Sequence, residues 1–172
     1  MKTHSFQEEI TVNATVRPVY TNEVSQEYLD KLNKPPFTEE ELARFNEHFL
    51  AAERQRQITT EKHPAIAVFL FALEGSQTRD GGVVQDGTAT SNYHLEDGQT
   101  VQGARKGDYV IYPDGSKAQI ITGAGRAYGD DALVGSLLSN GDEIINSPQG
   151  ACVCVQYKGL PMPDDFLPSV NG

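Results

Sequence analysis

Glycine is missing from the first 73 residues; all 16 glycines stand at or after Gly75. The two parts of the chain are therefore built by different rules, which argues against one uniform bundle. Cysteine is scarce, with only Cys152 and Cys154 in 172 residues. Two thiols make neither a disulfide framework nor a four-cysteine zinc site. A chain this long buries roughly 70% of its unfolded surface and needs no covalent staples. Long apolar stretches are lacking: the longest is residues 65–73, nine in number, where a membrane helix needs roughly 20. The first ten residues, MKTHSFQEEI, have no apolar core, so no secretory leader is expected there. Positive charge is in deficit, with 14 basic against 24 acidic residues and a net charge of −10. Neither half offers a cationic footprint, which argues against a nucleic-acid partner.

Residues 8–20 carry Ile10, Val12, Ala14 and Val16 in alternation, which predicts a strand that ends near Pro18 or lies on an edge. Ser25 is placed to cap a short helix with Tyr28, Leu29 and Leu32 on one side, and residues 33–36 break it. Thr38 and Glu41 have capping-box spacing, with Phe37 and Leu42 placed as a hydrophobic staple. The spacing predicts one clear amphipathic helix from Thr38 to about Arg56, with Leu42, Phe45 and Phe49 sharing a face. Two readings stand for that face: packing on the protein itself, or docking of a partner. His4, His48 and His63 are scattered without ligand spacing and read as ordinary surface or cap residues. The run at 65–73 suits a strand buried on both faces, which either belongs to the core of the glycine-rich half or joins the two parts.

Beyond Glu74, Gly81-Gly82, Asp86-Gly87, Asp97-Gly98, Asp114-Gly115 and Asn140-Gly141 punctuate short β-branched segments. Such dipeptides suit tight hairpin corners, so this half reads as all-β. Two copies of a unit of about 35 residues are visible by matching Gly107-Asp108 to Gly141-Asp142. The expected organisation is an N-terminal α+β extension over 1–64, a β-repeat domain over 65–157 and a Pro-rich tail over 158–172. The fold class expected is mainly β. Asp130-Asp131 and Asp164-Asp165 read as turn and tail carboxylates and not as catalytic pairs.

An ordered series carries a family resemblance. Thr78-Arg79-Asp80-Gly81-Gly82 comes first, then Gln102-Gly103-Ala104-Arg105-Lys106-Gly107-Asp108, then Gly141-Asp142. This series resembles the PAAR-repeat family, named for its Pro-Ala-Ala-Arg motif, over residues 74 to about 150. Gln102 and Gly103 occupy the places of the motif's proline and first alanine. The resemblance implies a small β-cone, without enzymatic activity, that caps the blunt end of a homotrimeric spike as one copy per trimer. It implies service in a type VI secretion system, a phage tail or a related injection particle. Such a tip is made in the bacterial cytoplasm, exported or carried on the particle, and pierces a target membrane by mechanical force. Residues 1–64 would then be an extension for an effector or a chaperone. The rival readings are an adaptor whose extension is itself a toxin, and a carbohydrate-binding β domain. Asp108 and Asp142 are expected to accept backbone N–H bonds inside their turns, and Arg105 to pack or pair across the cone.

Family members often hold zinc near the vertex through histidines and a cysteine. The corresponding places here are 78–80, 112–114 and 146–148, and none holds His or Cys. No cofactor is therefore expected, with proline stiffening the vertex instead. His94, Cys152 and Cys154 are the remaining candidates for a metal; the alternative is a structural histidine and a pair of buried thiols.

Overall fold

The computed structural model describes residues 17–170. Most of the strand expected over 8–20 lies outside them, as does His4. The described residues run through three helices, α1 (Gln26–Asn33), α2 (Glu39–Leu42) and α3 (Glu47–Lys62), then strand β1 (Ala65–Leu70). Five short strands come next: β2 (Val83–Val84), β3 (Asn92–His94), β4 (Thr100–Gln102), β5 (Tyr109–Ile111) and β6 (Lys117–Gln119). A single 3-10 turn (Arg126–Tyr128) and strand β7 (Val153–Tyr157) complete it. Helix accounts for 20% and strand for 26%, so the architecture mixes helices with antiparallel sheets and agrees only loosely with the mainly β class expected.

The centre is a ring. The Ala72 N–H donates to the Ala132 carbonyl at 2.8 Å, Ala132 donates to Ala104 at 2.9 Å, and Ala104 donates to Ala72 at 3.0 Å. Three backbones thus close a cycle about a pseudo-three-fold axis. The next residue of each segment bridges the residue before the neighbouring alanine: Leu73 with Gly103, Arg105 with Asp131, Leu133 with Phe71. Each alanine then opens the same turn. Ser76, Asp108 and Ser136 donate their N–H to the carbonyls of Leu73, Arg105 and Leu133. Gly75, Gly107 and Gly135 sit third in these turns with φ of 94°, 100° and 107°, a backbone that favours glycine.

From each turn a hairpin departs, over 76–84, 108–120 and 136–144. The returning strands are locked by Gly75, Gly107 and Gly135 donating to the Val84, Ile120 and Ile144 carbonyls, each at 2.8 Å. Neighbouring hairpins pair around the circle. Val84 pairs with Val110, Ile120 bridges Leu138, and Ile144 bridges Thr78, all antiparallel. The circle closes, so none of the three hairpins has an unpaired lateral edge to fray. The alanines, Leu70, Val84, Val110, Ile120, Val134, Leu138 and Ile144 form one core cluster.

The repeat is three-fold, and this changes the sequence register. Gly107 matches Gly75 and Gly135, while Gly141 matches Gly81 and Gly115 at the hairpin tips. Thr78, Tyr112 and Leu138 each accept from the tip glycine three residues on, which fixes that alignment.

Around the ring lie the remaining elements. β1 pairs with β7, and α1 packs Leu29 against Ala65 and Val68 of β1. The extension and the β core therefore share apolar contacts. Ile66 of β1 is 46% exposed, so this run alternates and is not buried on both faces. The tail is anchored as well: Phe166 is buried, with its ring 5.0 Å from Phe69. Ser25 caps α1, and the Thr38–Glu41 capping box is present. The single helix expected from Thr38 to Arg56 is instead two. Asn46 accepts from the Phe49 N–H at 2.9 Å and caps a new helix, which ends the first after one turn. Leu42, Phe45 and Phe49 thus do not share one helix face. Phe45 and Phe49 meet each other at 4.5 Å and Phe37 at 5.1 and 5.8 Å, folding the break upon itself. α3 buries none of its side chains.

Candidate functional site

The ring and the hairpin tips above it form the candidate site. The turns at the ring are capped from within. Leu73 and Leu133 donate their N–H to the hydroxyls of Ser76 and Ser136, at 3.0 and 2.9 Å. Arg105 donates its N–H to the Asp108 carboxylate at 2.9 Å, and Asp108 also accepts from the Thr88 N–H. Short acceptors at one turn position do one job in all three copies. The Arg105 side chain is exposed, and among the described residues it joins no ion pair. Of the two expectations for it, packing or pairing across the cone, an ion pair is not seen among the described residues. Gly103 is buried against Ala89, Tyr93 and Ser91, where a Cβ would meet atoms at 3.1 to 3.3 Å.

One sector of the ring is completed by a side chain. The Asn22 carboxamide accepts from the Leu70 N–H at 2.8 Å and donates to the Val134 carbonyl at 2.8 Å. It stands in for a peptide group and ties the N-terminal segment to the ring. Replacing it removes both bonds, so Asn22→Ala is expected to cost about 2–3 kcal/mol. Urea melts of the full chain measure this, and a variant within about 0.5 kcal/mol of the parent would contradict it.

At the tips the three hairpins meet on one carboxylate. Asp142 is 1% exposed. It accepts the Tyr112 hydroxyl at 2.6 Å, the Glu143 N–H at 2.8 Å and the Asp80 N–H at 3.2 Å. The donors come from all three hairpins. Burial pushes its pKa up, but the polar groups around it, Thr78, Tyr112 and the N–H groups of Glu143 and Asp80, outweigh this and hold it below the ordinary carboxylate value. Burial, then the adjoining Asp142, raises Tyr112 above the ordinary phenol. Asn140 donates to the Tyr112 oxygen at 2.9 Å. Thr78 in turn accepts the Gly82 N–H at 2.8 Å. Gly82 is required by space: a Cβ there would lie 2.3 Å from Val110 Cγ1. The middle hairpin is the longest, 108–120 against 76–84 and 136–144, and its length lets Tyr112 reach across. Asp142 therefore bonds beyond its own turn, to two neighbouring hairpins.

The metal that the family resemblance implies does not fit these residues. The tips bring together Thr78, Tyr112, Asn140 and Asp142, with no histidine or thiol, and Asp142 already accepts three donors. Glu143 is paired with Arg79 at 3.5 Å. Among the described residues no group of three or more His, Cys, Asp or Glu is placed to hold a metal ion. His94 is exposed on β3 and bonds Thr100 through Nδ1 at 2.9 Å. The two thiols are not both buried: Cys154 lies inside, Cys152 outside. β7 starts only at Val153, so Cys152 precedes the strand alternation that would put both on one face. Burial pushes the Cys154 thiol up to about 11, away from reactivity.

Each acidic pair has a member placed structurally. Asp165 accepts the Arg126 N–H at 2.9 Å and is held below the ordinary carboxylate value by that bond. Asp130 turns the chain with a φ of 58°, and burial raises Asp131. No helix among the described residues is long and apolar enough to cross a membrane.

Composition and motif reasoning missed Ala72, Ala132 and Asn22. A signal for two of them is present: Ala-Leu-x-Gly-Ser occurs at 72–76 and, with valine for x, again at 132–136. Compared with known proteins, the chain matches no family model, no curated protein and no solved structure.

Proposed function

We propose that this chain is a PAAR-like spike-tip protein, capping the blunt end of a homotrimeric β-helical spike as one copy per trimer. The observation that carries this reading is the closed ring of Ala72, Ala104 and Ala132. A monomer with internal three-fold repetition presents three like sectors. It can meet three identical chains with similar contacts, where an asymmetric cap would satisfy only one. The tip acts by force and not by bond chemistry, within a contractile injection particle that drives it against a target membrane. Circular strand pairing suits that load, since each hairpin is held on both sides. The α2–α3 arm, whose long helix buries no residue, is the element left to carry an effector or engage a chaperone.

Mixing the full chain with its trimeric spike tests this by native mass spectrometry. One tip per three spike chains is expected. A stable three-to-three complex, or no complex, would contradict it.

A further inference from the structure

We propose that the Asp142 carboxylate, and not a metal ion, locks the three hairpin tips together, so that the vertex is metal-independent and is opened by acid. The inference concerns the isolated chain and holds whether or not that chain caps a spike.

A bound metal at such a vertex would gather one ligand from each hairpin. Here the polarity is reversed: one central acceptor gathers donors from each hairpin. The second hairpin supplies Tyr112, the first supplies the Asp80 N–H, and the third supplies the Glu143 N–H. A carboxylate suits the place because it is acceptor-only with about four lone-pair sites. Among the described residues no buried side-chain N or O lacks a partner, so the network is complete without an ion.

Protonation breaks this arrangement, since a carboxylic acid brings its own O–H among three donors. The other ionisable groups around the hub are Tyr112, Asp80, Glu143 and Arg79, the last two paired with each other at 3.5 Å. Asp142 has a depressed pKa in the folded chain. Its stabilisation is therefore whole above the ordinary carboxylate value and is lost as pH falls below it.

The test is thermal melting of the full chain, purified without immobilised metal, with chelator, with added zinc chloride and across pH 3–7. Elemental analysis accompanies the melts. Chelator and zinc are expected to leave Tm unchanged within about 1 °C. Asp142→Asn puts an N–H where Tyr112 donates, and should lower Tm by about 5–10 °C at pH 7. It should also flatten the decline of Tm below about pH 4. Tyr112→Phe should lower Tm by about half as much, and it decides the matter if Asp142→Asn does not fold. Stoichiometric metal with a chelator-induced fall in Tm would overturn the proposal. So would an Asp142→Asn or Tyr112→Phe chain melting like the parent at pH 7. Spike binding enters none of these readings, so failure here is distinct from failure of the spike-tip function.

Discussion

Replacing Ala72, Ala104 or Ala132 singly by leucine is expected to lower the unfolding free energy by about 3 kcal/mol each, the upper part of the usual range for overpacking. The three alanines are 1%, 1% and 0% exposed and share one cluster with Leu70, Val84, Ile120, Val134 and Ile144. Three extra carbons there must displace side chains belonging to all three hairpins. The backbone cannot retreat, because the N–H and C=O of each alanine are both committed to the ring. Similarity of the three losses is the decisive feature, since pseudo-symmetry makes the sites equivalent. Urea unfolding of the full chain measures it. One near-neutral variant beside two damaging ones would mean that the ring is not the axis of the fold.

A second large effect is expected just past each hairpin, where the chain crosses back over the ring. Gly87, Gly123 and Ser147 are equivalent, each three residues after Val84, Ile120 and Ile144. A Cβ at Gly87 would lie 2.3 Å from the Gly103 carbonyl oxygen, and one at Gly123 would lie 2.8 Å from the Asp131 oxygen. Both obstacles are backbone of the segments leading into Ala104 and Ala132, and neither can rotate away. In the third sector the chain stands farther off, and the Ser147 hydroxyl donates to the Phe71 carbonyl at 2.9 Å. Gly87→Ala is therefore expected to cost about 3 kcal/mol, with Gly123→Ala somewhat milder. Ser147→Ala should cost under about 1 kcal/mol, because Gln149 also donates to the Phe71 carbonyl. Thermal and urea melts rank the three. A Gly87→Ala chain as stable as Ser147→Ala would show that this crossing is not as tight as described.

Signals in the sequence are legible wherever the physics is local. Ser25 and the Thr38–Glu41 box cap helices because a side-chain oxygen satisfies an N–H three residues away. Glycines mark the corners because a positive φ is a property of one residue. The break at Asn46 is less legible. Phe45 and Phe49 fit one helical face in sequence, but Asn46 caps a second helix there and both rings turn onto Phe37. The repeat looks two-fold in sequence because Gly-Asp at 107–108 and 141–142 match as letters. In space one closes a turn at the ring and the other closes a hairpin tip.

Corners, caps, the absence of a four-cysteine site and the change of texture at Gly75 belong to the residues alone. The closing of those corners into a three-fold circle, with Asp142 at its apex, belongs to the folded chain. Nothing near Ala104 in the chain encodes its bonds to Ala72 and Ala132, which lie about thirty residues to either side. The middle copy hides further because aspartate stands at 108 where the others have serine. Either acceptor serves the turn, so the physics repeats while the letters do not. Closure of a circle is a property of all three segments at once, and no local preference expresses it.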